Sequence, residues 1–248
     1  MMTRRKWAAA AVGGVAGWTA VTKGKDLGLV PAGLTGGLYA AGEVLTHATQ
    51  KLLTKHGNAR EFTRDQISPK PFATTHPPKN EDYVRMQQAG FADWRLKVDG
   101  LVEKPGVELS LADLHAAKAS SQITQLVCEE GWSYIAEWKG VPLGDVLRQL
   151  QPKPEAKYVA FLTIQDGWWD SIDMDEANHP QTLIAYEMNG APIPPQHGGP
   201  MRLRVPRQLG YKSLKFINRM IVTDDIRAVQ NGRGSGAVGA GYSWYAGI

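Results

Sequence analysis

The only cysteine in this sequence, Cys128, stands in the run Val127-Cys128-Glu129-Glu130-Gly131-Trp132-Ser133. A lone cysteine is commonly a small buried hydrophobe. Here two acids and a glycine follow it directly, and the apolar run Ile123 to Cys128 reads as a strand, so the thiol is expected where a strand gives way to a loop. Such loops are where rigid scaffolds mount functional groups. A thiolate suits a soft or high-valent metal, but one thiolate cannot hold a metal firmly. Any metal at Cys128 must bring most of its own ligands. The same count excludes a disulfide within the chain and any multi-cysteine zinc or iron–sulfur site.

A second constellation spans His197-Gly198-Gly199-Pro200-Met201-Arg202-Leu203-Arg204-Val205-Pro206-Arg207 and Gly210-Tyr211-Lys212-Ser213-Leu214-Lys215. In a strand from Met201 to Val205, side chains alternate faces, so Arg202 and Arg204 point opposite to Met201, Leu203 and Val205. The glycine pair permits close approach of a ligand to backbone, and Arg207, Lys212, Ser213 and Lys215 add donors suited to a phosphate. Two readings stand: an anion cradle without a Walker pattern, and an ordinary basic sheet edge.

Other groups carry less. Asp166, Asp170, Asp173, Asp175 and Glu176 lack the order of a calcium loop and read as a solvated turn followed by a helix N-terminus. The histidines show no H-x-x-x-H or H-E-x-x-H spacing, and no G-x-S-x-G occurs. Trp168-Trp169 and Tyr242-Ser243-Trp244-Tyr245 read as core or lid packing.

Positioning these groups falls to short strands and few helices. Trp94, Leu96 and Val98 alternate with Arg95, Lys97 and Asp99, the period of a half-buried strand. Ser110 to Asp113 forms a capping box that opens a short helix. Pro142 to Leu150 places Leu143, Val146, Leu147 and Leu150 on one helical side, and Tyr158 to Ile164 is apolar enough for a central strand. Further strands are expected at Leu183–Met188, Met201–Val205 and Phe216–Thr223. Residues 58–92, with Ser68-Pro69, Lys70-Pro71 and His76-Pro77-Pro78, read as an extended connection. With 27 glycines, the pattern predicts an α+β class, mainly β with mixed sheets, over residues 60–248. Ahead of it, Leu38, Ala41, Leu45, Ala48 and Leu52 predict a helix over 37–56, part of a helical extension covering 26–59, whose apolar stripe docks on the domain or faces a membrane or partner.

The net charge of +4 is local. Residues 1–25 carry Arg4, Arg5, Lys6, Lys23 and Lys25 and no acid, which leaves 23 basic groups against 24 acidic ones over residues 26–248. A near-neutral body lacks the electrostatic footprint of a nucleic-acid binder. Hydrophobic residues at 43% and charged ones at 21% place the chain among folded globular proteins. Arg4-Arg5 ahead of the weakly apolar stretch Ala8 to Val21 reads as a twin-arginine export signal, which predicts a periplasmic protein with the segment either removed or kept as a membrane anchor.

Six ordered blocks then resemble the molybdopterin-binding domain of the sulfite oxidase family, most closely its bacterial, exported, haem-free members such as the methionine sulfoxide reductases. They are Trp94 to Gly100, Cys128 to Ser133, Trp138 to Leu143, Ala156 to Phe161, His179 to Leu183 and the 197–215 segment. The resemblance implies a Mo-molybdopterin cofactor, with Cys128 as the protein's ligand to molybdenum and the pterin supplying two further sulfurs. It implies that Thr163, His197, Arg202, Ser213, Leu214 and Lys215 hold the pterin and its phosphate. The sequence departs from the reductases at His197, where they carry asparagine. An N-terminal pterin contact is expected between 72 and 84, with Thr75, His76 and Asn80 as candidates, of which Asn80 is preferred. The implied activity is oxygen-atom transfer to or from a small sulfur or nitrogen oxide, with Glu130 governing protonation at the metal centre and electrons exchanged with a separate protein, a membrane cytochrome or soluble carrier. Sulfite oxidation is the alternative chemistry, disfavoured by Glu129 and Glu130 where an anion would enter. The alternative class is a cofactor-free exported binding or assembly protein that keeps the fold.

Overall fold

The structure, a computed structural model, describes residues 45–50, 52, 57–73, 76–165 and 167–248. The export signal, most of the helix expected over 37–56, Thr75 and Asp166 lie outside the described residues. Within that helix, residues 45–50 are helical; Leu45 and Leu52 are exposed while His47 is buried against Asp173.

Two sheets pack around one main core. The first has the order β2-β1-β10-β5-β6, with β1 (Arg95–Gly100), β2 (Val107–Ser110), β5 (Tyr158–Thr163), β6 (Trp169–Asp173) and β10 (Ile217–Thr223). Its β1 and β10 run parallel and its other pairs antiparallel. The second sheet is antiparallel, in the order β3-β4-β7-β8, from β3 (Ser120–Val127), β4 (Ser133–Pro142), β7 (Leu183–Met188) and β8 (Ala191–Pro192), with β9 (Arg202–Arg204) also paired to β7.

Alternation decides which side chains fill which layer. Leu96 and Val98 of β1, Val159 and Phe161 of β5, Ile184 of β7 and Leu203 of β9 enter the main core together with Leu143, Val146, Leu147 and Leu150. Those last four lie on one side of α3 (Leu143–Leu150), as the sequence predicts. The opposite face of the second sheet buries Tyr134, Ala136 and Trp138 of β4 with Leu183 and Ala185 of β7. It is this second face that borders the candidate site.

Two expectations need correction. Residues 58–92 are not extended throughout: Glu81–Gln88 form α1, with Asn80 Oδ1 accepting the Tyr83 N–H at 2.9 Å as its N-cap and two acids in the first turn, a start signal the prolines nearby obscure. Nor is the acid-rich run solvated at Asp170 and Asp173, although the helix N-terminus expected there is present. Asp170 and Asp173 are buried in or at the end of β6, where Asp170 meets Lys212 and Asp173 caps the short α4 (Met174–Ala177). Acidic spacing suggests water; the tertiary partner provides the charge that permits burial. The capping box at Ser110 opens α2 (Leu111–Ala116) as expected, and a last short helix, α5 (Gly236–Gly239), lies near the C-terminus.

Candidate cofactor site

Cys128 lies immediately beyond β3, in a tight turn closed by Cys128 N–H to Trp132 O at 2.9 Å and Gly131 N–H to Cys128 O at 3.1 Å. Its Sγ donates toward Glu129 Oε2 at 3.3 Å, with Glu130 Oε2 at 3.8 Å, and the same Glu130 oxygen accepts the Trp132 indole N–H at 2.8 Å. Partial burial pushes the thiol up to about 11, and the two neighbouring carboxylates add to it. A metal bound at sulfur reverses that balance, because it favours the thiolate over the thiol.

The thiol opens into a cleft shared with Thr163, Arg202, Ser213, Leu214 and Lys215, so most of the residues expected to hold the cofactor do converge. Three backbone bonds produce this convergence: Leu203 N–H to Leu214 O at 2.8 Å, Phe216 N–H to Gly198 O at 3.2 Å and Ile217 N–H to Met201 O at 3.1 Å lay segment 213–217 along segment 198–203. Gly198 is needed there. It has φ +99°, and a Cβ on it would come within 2.6 Å of Lys215 Cγ.

Arg202 is buried, donating to His197 O at 2.6 Å and Ser213 O at 2.5 Å over the face of Trp138, whose centroid is 4.9 Å away. Lys215 Nζ donates to Gln196 O at 2.9 Å, and burial, then Arg202, pushes its ammonium down to about 7. His197 stands behind them, edge-on to Tyr134, held down to about 4 by burial first and then by Arg202 and Lys215. It is therefore neutral at pH 7.

Not every expected residue meets the cleft. Asn80 has both ends of its amide engaged, in the α1 cap and in Nδ2 donating to Ile164 O at 2.7 Å, one residue from Thr163. The wider set of basic donors divides. Lys212 is buried against Asp170 at 2.6 Å and the Trp244 ring at 4.8 Å, and Arg207 faces Glu176 at 3.7 Å, so neither belongs to the cradle. Arg202 and Arg204 sit on β9, a strand paired among the described residues only to β7, yet both are fully enclosed. Sequence reading also missed Tyr134, which lines the cleft from β4, though Tyr134, Ala136 and Trp138 alternate as a strand should. Phe72, Trp132 and Trp168 line the cleft too, and Phe72 and Trp168 are exposed; Trp169, next in sequence, is buried.

An anionic, metal-bearing group fits these residues on two observations. Among the described residues no carboxylate pairs with Arg202 or Lys215, which both line the cleft, so the cleft carries positive charge that an anionic ligand can balance; His197, whose buried Nδ1 has no partner among the described residues, is not part of that lining. The described residues also contain no group of three or more metal-ligating side chains. A metal at Cys128 must therefore arrive with its own ligands.

Fold and site together define a domain whose cleft sets the buried Arg202 and the partly buried Lys215 beside one thiol. The chain belongs to the oxidoreductase molybdopterin-binding domain family, which it matches over residues 83–229, more than half its length. Among its relatives are the protein-methionine-sulfoxide reductase catalytic subunit MsrP of Xanthomonas campestris pv. campestris, 38% identical over 180 residues (66% of this chain, 52% of that protein). Another is the putative protein-methionine-sulfoxide reductase subunit YedZ1 of Azospira oryzae, 39% identical over 167 residues (67% of this chain, 60% of that protein). The chain spans about half the length of the MsrP proteins it matches. In solved structures it is similar to the sulfane dehydrogenase SoxCD of Paracoccus pantotrophus, with TM-score 0.51 and 25% identity, over 54% of this chain and 39% of that one. The mixed sheets with short helices are thus of the sulfite oxidase type, and the cofactor of this oxidoreductase domain is a molybdopterin.

Proposed function

We propose that this chain catalyses oxygen-atom transfer with a neutral sulfur or nitrogen oxide, a sulfoxide above all, using molybdenum held by Cys128. The observation that carries the reading is the shared cleft: the only thiol of the chain lines it together with Arg202 and Lys215, which pair with no carboxylate among the described residues. When bound, molybdopterin would supply the metal for exchange of an oxygen atom and two electrons with the substrate. Cys128 would ligate the metal, while Arg202, Lys215 and the Ser213–Leu214 segment would hold the pterin and its anionic group. His197, neutral and with Nδ1 unpartnered among the described residues, would support the cradle from behind, through its carbonyl, which accepts from Arg202. Glu130 is fixed by the Trp132 indole close to the thiol and can hold a proton there. The carboxylates of Glu129 and Glu130 disfavour a sulfite anion at this mouth and favour a neutral oxide. The names of the relatives, protein-methionine-sulfoxide reductases and subunits, support the sulfoxide as substrate and a separate protein as electron source. Arg4-Arg5 supports export to the periplasm; among the described residues no helix is long and apolar enough to cross a membrane.

The test is metal and pterin analysis of protein purified from a molybdate-fed, pterin-competent host, with turnover of methionine sulfoxide and of sulfite using artificial electron carriers. Near-stoichiometric molybdenum and sulfoxide turnover that Cys128→Ser abolishes are expected. Molybdenum far below one atom per chain would return the chain to the cofactor-free binding class, and retained turnover in Cys128→Ser would remove Cys128 as the ligand.

A further inference from the structure

Arg204 has no part in the reading above, yet it is as fully enclosed as any side chain near the cleft. It lies behind the cleft wall, and its guanidinium joins the two elements that carry the two halves of the site. Nη2 donates to Thr124 Oγ1 at 3.1 Å and to Gln125 O at 2.7 Å, both on β3, the strand that leads into Cys128. Nη1 donates to Ser213 Oγ at 3.2 Å, a hydroxyl that also accepts the Val205 N–H at 3.0 Å. Ser213 in turn gives its carbonyl to Arg202. Trp138 lies under both guanidinium groups, 4.9 Å from Arg202 and 5.7 Å from Arg204.

This is a costly arrangement if stability is its only purpose. Among the described residues Arg204 has no carboxylate partner, its Nε has no hydrogen-bond partner at all, and a second buried cation sits beside it. Aromatic contact offsets part of the cost of such a charge. An unbranched apolar side chain would fill the same space without desolvating a charge. What it cannot supply is three directional bonds reaching two elements at once.

We infer that Arg204 is a positioning residue that ties the Cys128 strand to the Ser213–Lys215 segment and so sets the separation between the thiol and the anion-holding groups. The inference rests on the molybdopterin reading of the cleft. Without the tie, β3 and segment 213–215 remain in the fold through their own backbone bonds, but the thiol and the cradle are free to drift relative to one another. Small displacements of a supporting group are enough to weaken metal retention.

Arg204→Met and Arg204→Lys, made in the full chain and expressed beside wild type in a molybdate-fed, pterin-competent host, test it. Three quantities are read: the thermal midpoint of cofactor-free protein, molybdenum and pterin per chain, and the absorption spectrum of the loaded fraction. Arg204→Met should keep a cofactor-free midpoint equal to or above wild type, because a buried unpaired charge is gone. Its cofactor content should fall about tenfold or more, the range typical of lost supporting partners, and the remaining loaded fraction should show a shifted spectrum. Arg204→Lys, which keeps the charge but reaches only one of the two elements, should retain an intermediate amount. A midpoint lowered in step with cofactor content reduces Arg204 to packing and overturns the inference. Wild-type content with an unshifted spectrum in Arg204→Met overturns it too, and leaves the cofactor reading intact. Wild-type protein without molybdenum overturns both.

Discussion

Lys212 and Asp170 provide the sharpest test of how the basic residues are divided. Their 2.6 Å contact joins a residue beside the cleft segment 213–215 to β6, with both side chains almost wholly buried and Lys212 Nζ also donating to Ser171 O at 3.0 Å. Burial alone pushes the Asp170 carboxyl up and the Lys212 ammonium down, and each partner opposes the shift in the other. Removing one partner strands the other charge, which costs about 3–5 kcal/mol for a buried pair. Against a total stability of about 5–15 kcal/mol, either Asp170→Asn or Lys212→Met should move the urea midpoint of cofactor-free protein markedly. The double variant leaves no stranded charge, so it should be less destabilised than the sum of the singles by about 2 kcal/mol or more. Urea unfolding of all four proteins, with unchanged slopes, gives the cycle. Single variants each costing less than about 1 kcal/mol with no coupling would mean that water reaches the pair, and Lys212 would return to the list of cradle donors.

Other outcomes follow from the cleft. If Arg202 holds the anionic part of the cofactor as proposed, Arg202→Ala removes a charge-assisted contact, a loss of about 1.5–3 kcal/mol, so pterin retention through gel filtration should weaken roughly 10- to 150-fold; full retention would show that the cradle is misread. In cofactor-free protein His197 is shifted from 6.5 to about 4. The unfolded chain then binds the extra proton across that window, and stability is lost as pH falls from 6.5 toward 4, by at most about 3 kcal/mol. His197→Gln should flatten that part of the stability profile, and an unchanged slope would refute the burial argument. Gly198→Ala combines φ +99° with a 2.6 Å approach to Lys215. It should cost about 1–3 kcal/mol in unfolding free energy and lower cofactor content, and a neutral substitution would mean that the turn relaxes freely.

The lone cysteine, its strand-end placement and its two acids were legible from residue types alone, as were most strands that alternate cleanly and the capping box at Ser110. Periodicity carries that information because a strand or helix repeats within a few residues. The opposed faces of Arg202 and Leu203 follow from the same rule. Only the tertiary structure decided which charges remain in the cleft. Arg202, Arg204, Arg207, Lys212 and Lys215 look alike in sequence, but the distant acids Asp170 and Glu176 pair with Lys212 and Arg207 and withdraw them from the cradle. The same long-range pairing buries Asp170, expected in a solvated turn, within β6. It placed Arg204 between β3 and Ser213, and it brought Trp138 beneath the two arginines. A side chain's charge is written in the sequence; the partner that neutralises it comes from residues tens of positions away, and that partner determines whether the charge is left for a ligand.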